Sequence, residues 1–110
     1  MKFVITENKI FDVIKKYLDS KDLKKMDTVT KLFFYQEGNF LADIALDYFD
    51  GWAELNFQLV DDIEKFFSIN RETATRAIES WIEDKTGIGK VEAWAPKDYH
   101  RSSIFLPSEM

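Results

Sequence analysis

Apolar residues recur at helical spacing over residues 7–18, where Ile10, Phe11, Ile14, Tyr17 and Leu18 fall on one face, and this predicts a first helix. Ahead of it, residues 2–6 alternate weakly and read as a short strand, with Thr6 capping the helix. Residues 20–25 are polar and lysine-rich and read as a solvated connection. The period then changes to two. Asp50-Gly51 is a preferred type I′ hairpin pair with alternating segments on both sides. Closing that turn at Phe49 and Trp52 sets Tyr48 opposite Ala53, Leu46 opposite Leu55, Ile44 opposite Phe57 and Ala42 opposite Leu59, every pair apolar. A second tight turn at Glu37-Gly38 or Gly38-Asn39 puts Phe33 and Tyr35 on the face of Phe40, Ala42 and Ile44.

Helical spacing returns after the hairpin. Ile63, Phe66 and Phe67 mark a short helix within residues 60–67. A longer one starts after Asn70, a good N-cap, turns Ala74, Ala77, Ile78, Trp81 and Ile82 inward, and stops at Gly87. Residues 91–95 read as a last strand before Pro96. The expected fold class is therefore α+β: a three-stranded antiparallel meander with short flanking strands, covered by three helices on the face of Phe33, Ile44, Leu46, Leu55 and Phe57. Residues 1–99 form one expected domain, followed by a tail, residues 100–110, whose docking the pattern leaves open.

Composition narrows the chemistry. The 110 residues include no Cys, which removes disulfides, thiolate zinc sites and cysteine nucleophiles and fits a reducing cytoplasm. No apolar run reaches the length of a membrane span, and acid follows the start too soon for a signal peptide. A net charge of −5 disfavours general attraction to nucleic acid and anionic lipid and favours basic or neutral protein surfaces as partners. His100 is the only histidine and stands without a nucleophile or glycine-rich loop, while the adjacent Asp61 and Asp62 point apart on a helix, so neither catalysis nor a cofactor is expected.

Two constellations remain. In the hairpin register Asp47 faces Glu54 and Asp43 faces Gln58, on the side the apolar set does not use. With Trp52 beside them, Asp43, Asp47 and Glu54 read as a surface for a basic protein partner, a divalent metal being the weaker choice. Phe34, Phe49, Trp52 and Trp94 fall on or near the same side. The second constellation is local: residues 61–78 resemble the helix-turn-helix of bacterial regulators. That resemblance implies base reading by Arg71, Thr75 and Arg76 with a wing over residues 86–94, against which Asp61, Asp62, Glu72, Glu79 and Glu83 set repulsive charge. Two amphipathic helices joined by a capped turn explain the same residues more simply.

Taken whole, the chain resembles small uncharacterised proteins of large tailed bacteriophages. The likeness lies in Lys2-Phe3-Val4-Ile5-Thr6-Glu7, in Gly38-Asn39-Phe40-Leu41 leading to Phe49-Asp50-Gly51, and in Trp81-Ile82-Glu83-Asp84-Lys85-Thr86-Gly87. It implies a setting, the infected bacterial cytoplasm or the virion, and carries no activity onto any residue. The expected function is a non-catalytic accessory protein that binds another protein, a host or defence factor or a further copy of itself. The rival is a winged helix-turn-helix nucleic-acid binder.

Overall fold

The computed structural model describes residues 7–96 and 104–107, without the side chains of residues 7 and 8. The strand expected at residues 2–6, its Thr6 cap and His100 lie outside these residues. Three helices, α1 (Glu7–Ser20), α2 (Phe57–Phe67) and α3 (Arg71–Thr86), cover one face of a five-stranded sheet. The strands β1 (Lys24–Asp27), β2 (Lys31–Tyr35), β3 (Ala42–Asp47), β4 (Trp52–Leu55) and β5 (Glu92–Trp94) lie side by side in chain order. The first four run antiparallel, and β5 returns parallel to β4 after the two helices. No helix among the described residues is long and apolar enough to cross a membrane.

The helix termini form where the polar residues invite them. Asn70 accepts the Thr73 N–H at 2.8 Å to start α3, and Gly87, at φ 76°, donates to the Glu83 carbonyl to end it. Asn56 starts α2 in the same way through the Gln58 N–H. The helix face expected of α3 is buried at each of Ala74, Ala77, Ile78, Trp81 and Ile82. These residues meet Ile14 and Leu18 of α1, Leu59, Val60 and Ile63 of α2, and Leu32, Phe34, Ile44, Leu46, Ala53 and Leu55 of the sheet. The Trp81 indole N–H donates to Asp19 Oδ1 at 2.9 Å, and Lys85 reaches the same oxygen at 2.9 Å, so α1 and α3 are tied at their polar rim. Lys85 first and Trp81 second hold the Asp19 carboxyl below its usual range.

The strands depart from expectation in three places. The β3–β4 connection spans four residues, 48–51, rather than two, so Leu46 pairs with Ala53 and Ile44 with Leu55. Phe57 and Leu59 belong to α2. Asp50-Gly51 still sits in the turn, but the Asp47 carboxylate accepts the Phe49 N–H and the Asp50 carboxylate accepts the Trp52 N–H, two local bonds that stabilise a longer loop. A shift of two residues preserves side-chain parity. A shift of one would expose Ile44, Leu46 and Leu55, each worth roughly 1.5–3 kcal/mol of burial.

The second departure inverts β2. Phe33 pairs with Ala45 and Phe34 with Ile44, so Leu32 and Phe34 face the helices while Phe33 and Tyr35 face away. The reason is one extra residue at Asp43: Tyr35 still pairs with Ala42, as a two-residue turn at Gly38-Asn39 also requires, but Phe34 then pairs with Ile44, and the odd shift reverses the faces of β2. Third, β1 forms within the segment read as a connection and beyond it, extending the meander to four strands. On the outer face Phe33, Ala42 and Ala45 are covered by Ile104, whose carbonyl accepts the Ala42 N–H at 2.7 Å. Residues 104–106 thus dock across the β2–β3 half of that face, and no described residue is seen to cover the β4–β5 half.

Candidate functional site

The open half of the outer face is built by strand alternation. Ala53 and Leu55 of β4 and Ala93 of β5 turn toward the helices, so Trp52, Glu54, Glu92 and Trp94 share the other side. In the parallel register Trp52 stands opposite Glu92 and Glu54 opposite Trp94, an indole beside an acid at each rung. Trp52 is 47% and Trp94 44% exposed. Glu92 lies 3.5 Å from Lys90 in an exposed ion pair.

The sequence-derived cluster does not assemble as read. Asp47 pairs in register with Lys31 and Glu54 with Ala45, so the two acids do not oppose each other. Asp43 is the extra residue of a β-bulge, because Phe34 pairs with Ile44 and Tyr35 with Ala42. It faces Asn56 rather than Gln58, its carbonyl accepting the Asn56 N–H at 2.8 Å. The charges that act on its carboxyl are Lys21 and Asp62, from the helical side of the sheet. Phe34 is core, and Phe49 is exposed in the turn. Trp52 and Glu54 do lie together. The strand β5 supplies the partners that a two-strand reading omits, Glu92 and Trp94, and only the crossover could have pointed to them.

β5 is held on both edges. The Glu92 N–H donates to the Gly51 carbonyl at 3.0 Å on the β4 side. On the other side α3 supplies side chains where a sixth strand would supply backbone: Glu83 accepts the Val91 N–H at 2.8 Å and Glu79 the Ala93 N–H at 2.7 Å. Arg71 donates to the carbonyls of Ala95 and Pro96. Burial pushes the Glu79 carboxyl above its ordinary range, with the Ala93 N–H pulling against it.

The helix-turn-helix residues sit on this same flank. Three residues, 68–70, separate α2 from α3, with Ser68 left-handed at φ 54°. Arg71 is committed to β5, Thr75 Oγ1 donates to the Arg71 carbonyl at 2.8 Å, and Arg76 lines an open groove together with Glu72, Glu79 and Trp94. Among the described residues no group of three or more His, Asp or Glu side chains comes together as a metal site. In comparisons with known proteins, no family model, no curated protein and no solved structure significantly matches the chain.

Proposed function

We propose that the chain is a non-catalytic protein-binding module that docks a basic partner on the open β4–β5 face. The observation that carries this reading is the pairing of two half-exposed tryptophans with acids on adjacent strands, Trp52 with Glu92 and Glu54 with Trp94. Such indoles supply anchoring area at low entropic cost and take guanidinium groups on their ring faces, while the acids select for positive charge. The likeness to phage proteins suggests a host or phage protein as that partner. Nucleic-acid reading by Arg71, Thr75 and Arg76 is the rival, and the internal bonds of Arg71 and Thr75 weigh against it.

Trp52 and Trp94 report on their own docking by fluorescence, Trp81 being buried. An arginine-rich peptide titrated into the protein is expected to shift their emission saturably, and the shift is expected to vanish in Trp94→Ala and in the double reversal Glu54→Lys with Glu92→Lys. Surface reversals of this kind usually change stability by less than about 0.5 kcal/mol. Unchanged affinity in the double reversal, or tight binding of duplex DNA that weakens steeply with salt, overturns the proposal.

A further inference from the structure

The β-bulge leaves one group without an explanation. Asp43 Oδ2 is buried and, among the described residues, has no hydrogen-bond partner. A carboxylate oxygen accepts and cannot donate, so it needs an N–H or O–H directed at it, and a buried charge without one is costly. The lysine whose charge reaches it does not serve as a donor. Lys21 pulls on the Asp43 carboxyl through space, but its ammonium sits 5.1 Å over the Tyr17 ring and makes no ion pair with Asp43. Asp62 adds a second negative charge to the same surroundings.

Asp43 does face space. It lines an open groove of about 340 Å³ with Gly38, Asn39, Phe40, Leu41 and Asn56. That volume lies at the lower end of the range for small-ligand sites, roughly 300–1,000 Å³. Phe40, which also lines the groove, is an apolar ring 87% exposed. The backbone on either side is tied down, by the Asn56 N–H on the Asp43 carbonyl at 2.8 Å and by the Ala42 N–H on the Ile104 carbonyl at 2.7 Å.

We propose that this groove binds an organic cation, an alkylammonium or guanidinium head, held by the Asp43 carboxylate with the Phe40 ring against it. A cation answers each feature at once. It supplies donors to the orphan oxygen, offsets the joint negative charge of Asp43 and Asp62, and finds in Phe40 an aromatic face of the kind that attracts cations within about 6 Å. Burial pushes the Asp43 carboxyl above its ordinary range, and a bound cation removes that penalty. The site is separate from the Trp52–Trp94 face and stands whether or not that face binds a protein.

The test is an amide-resolved NMR titration of the full chain with N-acetyl-arginine methylamide, N-acetyl-lysine methylamide and agmatine, and with N-acetyl-norleucine methylamide as the uncharged control. Saturable shifts at roughly millimolar ligand are expected at Gly38, Asn39, Leu41, Asp43 and Asn56 for the cations and not for the control. Preference for the blocked amino acids over agmatine assigns the site to a basic side chain of a peptide, and the reverse order to a free amine. Asp43→Asn is expected to weaken binding at least tenfold and Phe40→Ala several-fold, while Val29→Ala, in the exposed β1–β2 turn, leaves it unchanged. Equal shifts from the norleucine control, undiminished binding in Asp43→Asn, or no saturation with any cation overturns the proposal.

Discussion

The hydroxyl of Tyr48 donates to Asp27 Oδ1 at 2.7 Å and so ties the β3–β4 connection to the edge strand β1. Burial, then the Asp27 hydrogen bond and charge, push the Tyr48 hydroxyl up to about 12. A raised folded-state value means that the protonated phenol is the form the fold favours. Its contribution is present below the unfolded value near 10 and is lost as pH rises toward 12. Tyr48→Phe is expected to cost roughly 0.5–1.5 kcal/mol at neutral pH, the worth of an ordinary hydrogen bond. Urea unfolding of both proteins should converge as pH climbs through that window; no difference at neutral pH would show that the bond contributes nothing, and a difference that persists unchanged through the window would show that the hydroxyl's ionisation is not linked to folding.

Gly51 answers two demands at one position. Its φ is 75°, and a Cβ placed there would lie 2.8 Å from the Lys90 carbonyl oxygen, while its own carbonyl accepts the Glu92 N–H. Gly51→Ala is expected to destabilise by roughly 1–3 kcal/mol and to speed hydrogen exchange at Glu92. A loss under about 0.5 kcal/mol would mean that the backbone at Lys90 gives way freely.

Glu79 and Glu83 hold adjacent outward N–H groups of the last strand, so the two substitutions should be read separately. Glu79→Ala is expected to accelerate exchange at Ala93 and Glu83→Ala at Val91, each at a cost of roughly 1–3 kcal/mol for the unpaired donor. Glu79→Gln keeps an acceptor and should retain most of the protection. Equal exchange in all three variants would show that β5 is held by β4 alone.

Asp43→Asn is expected to raise the melting temperature. Because burial raises the folded-state value of this carboxyl, the ionised form opposes folding, and wild-type stability from this group falls as pH rises through that value. The gain in Asp43→Asn is therefore present at neutral pH, shrinks as pH falls through the raised value, and is gone below the unfolded value of 3.8. Thermal scans at neutral and acid pH check both halves, and a lower melting temperature at neutral pH would contradict the assignment of Asp43 as an uncompensated charge.

The elements most legible in the sequence were those with a local cause. Asn70 and Gly87 delimit α3 through bonds within a few residues, and the inward face of α3 follows from helical period alone. The hairpin kept its apolar side because the error in register was even. The β2 face was lost because one extra residue at Asp43 shifts the pairing by an odd step beyond Tyr35 and Ala42, and alternation does not encode a bulge. β1, with the sequence Lys-Lys-Met-Asp, has no apolar period to announce it and exists through pairing with β2. Half of the candidate site shared this fate: Trp52 and Glu54 are neighbours in the chain, whereas Glu92 and Trp94 reach them only through the crossover.

The side chains of α3 along β5 also set a limit on assembly. A sheet grows by adding backbone to an exposed edge, and on the β5 side the outward N–H groups of Val91 and Ala93 are already occupied by carboxylates. Among the described residues the outer edge of β1 is the one sheet edge that no strand or side chain is shown to pair with, so strand addition between copies would use that edge. Two such edges consume each other on meeting. Strand addition between copies would therefore stop at a two-fold pair with a continuous ten-stranded sheet, since five strands come from each copy, and could not propagate into a fibre.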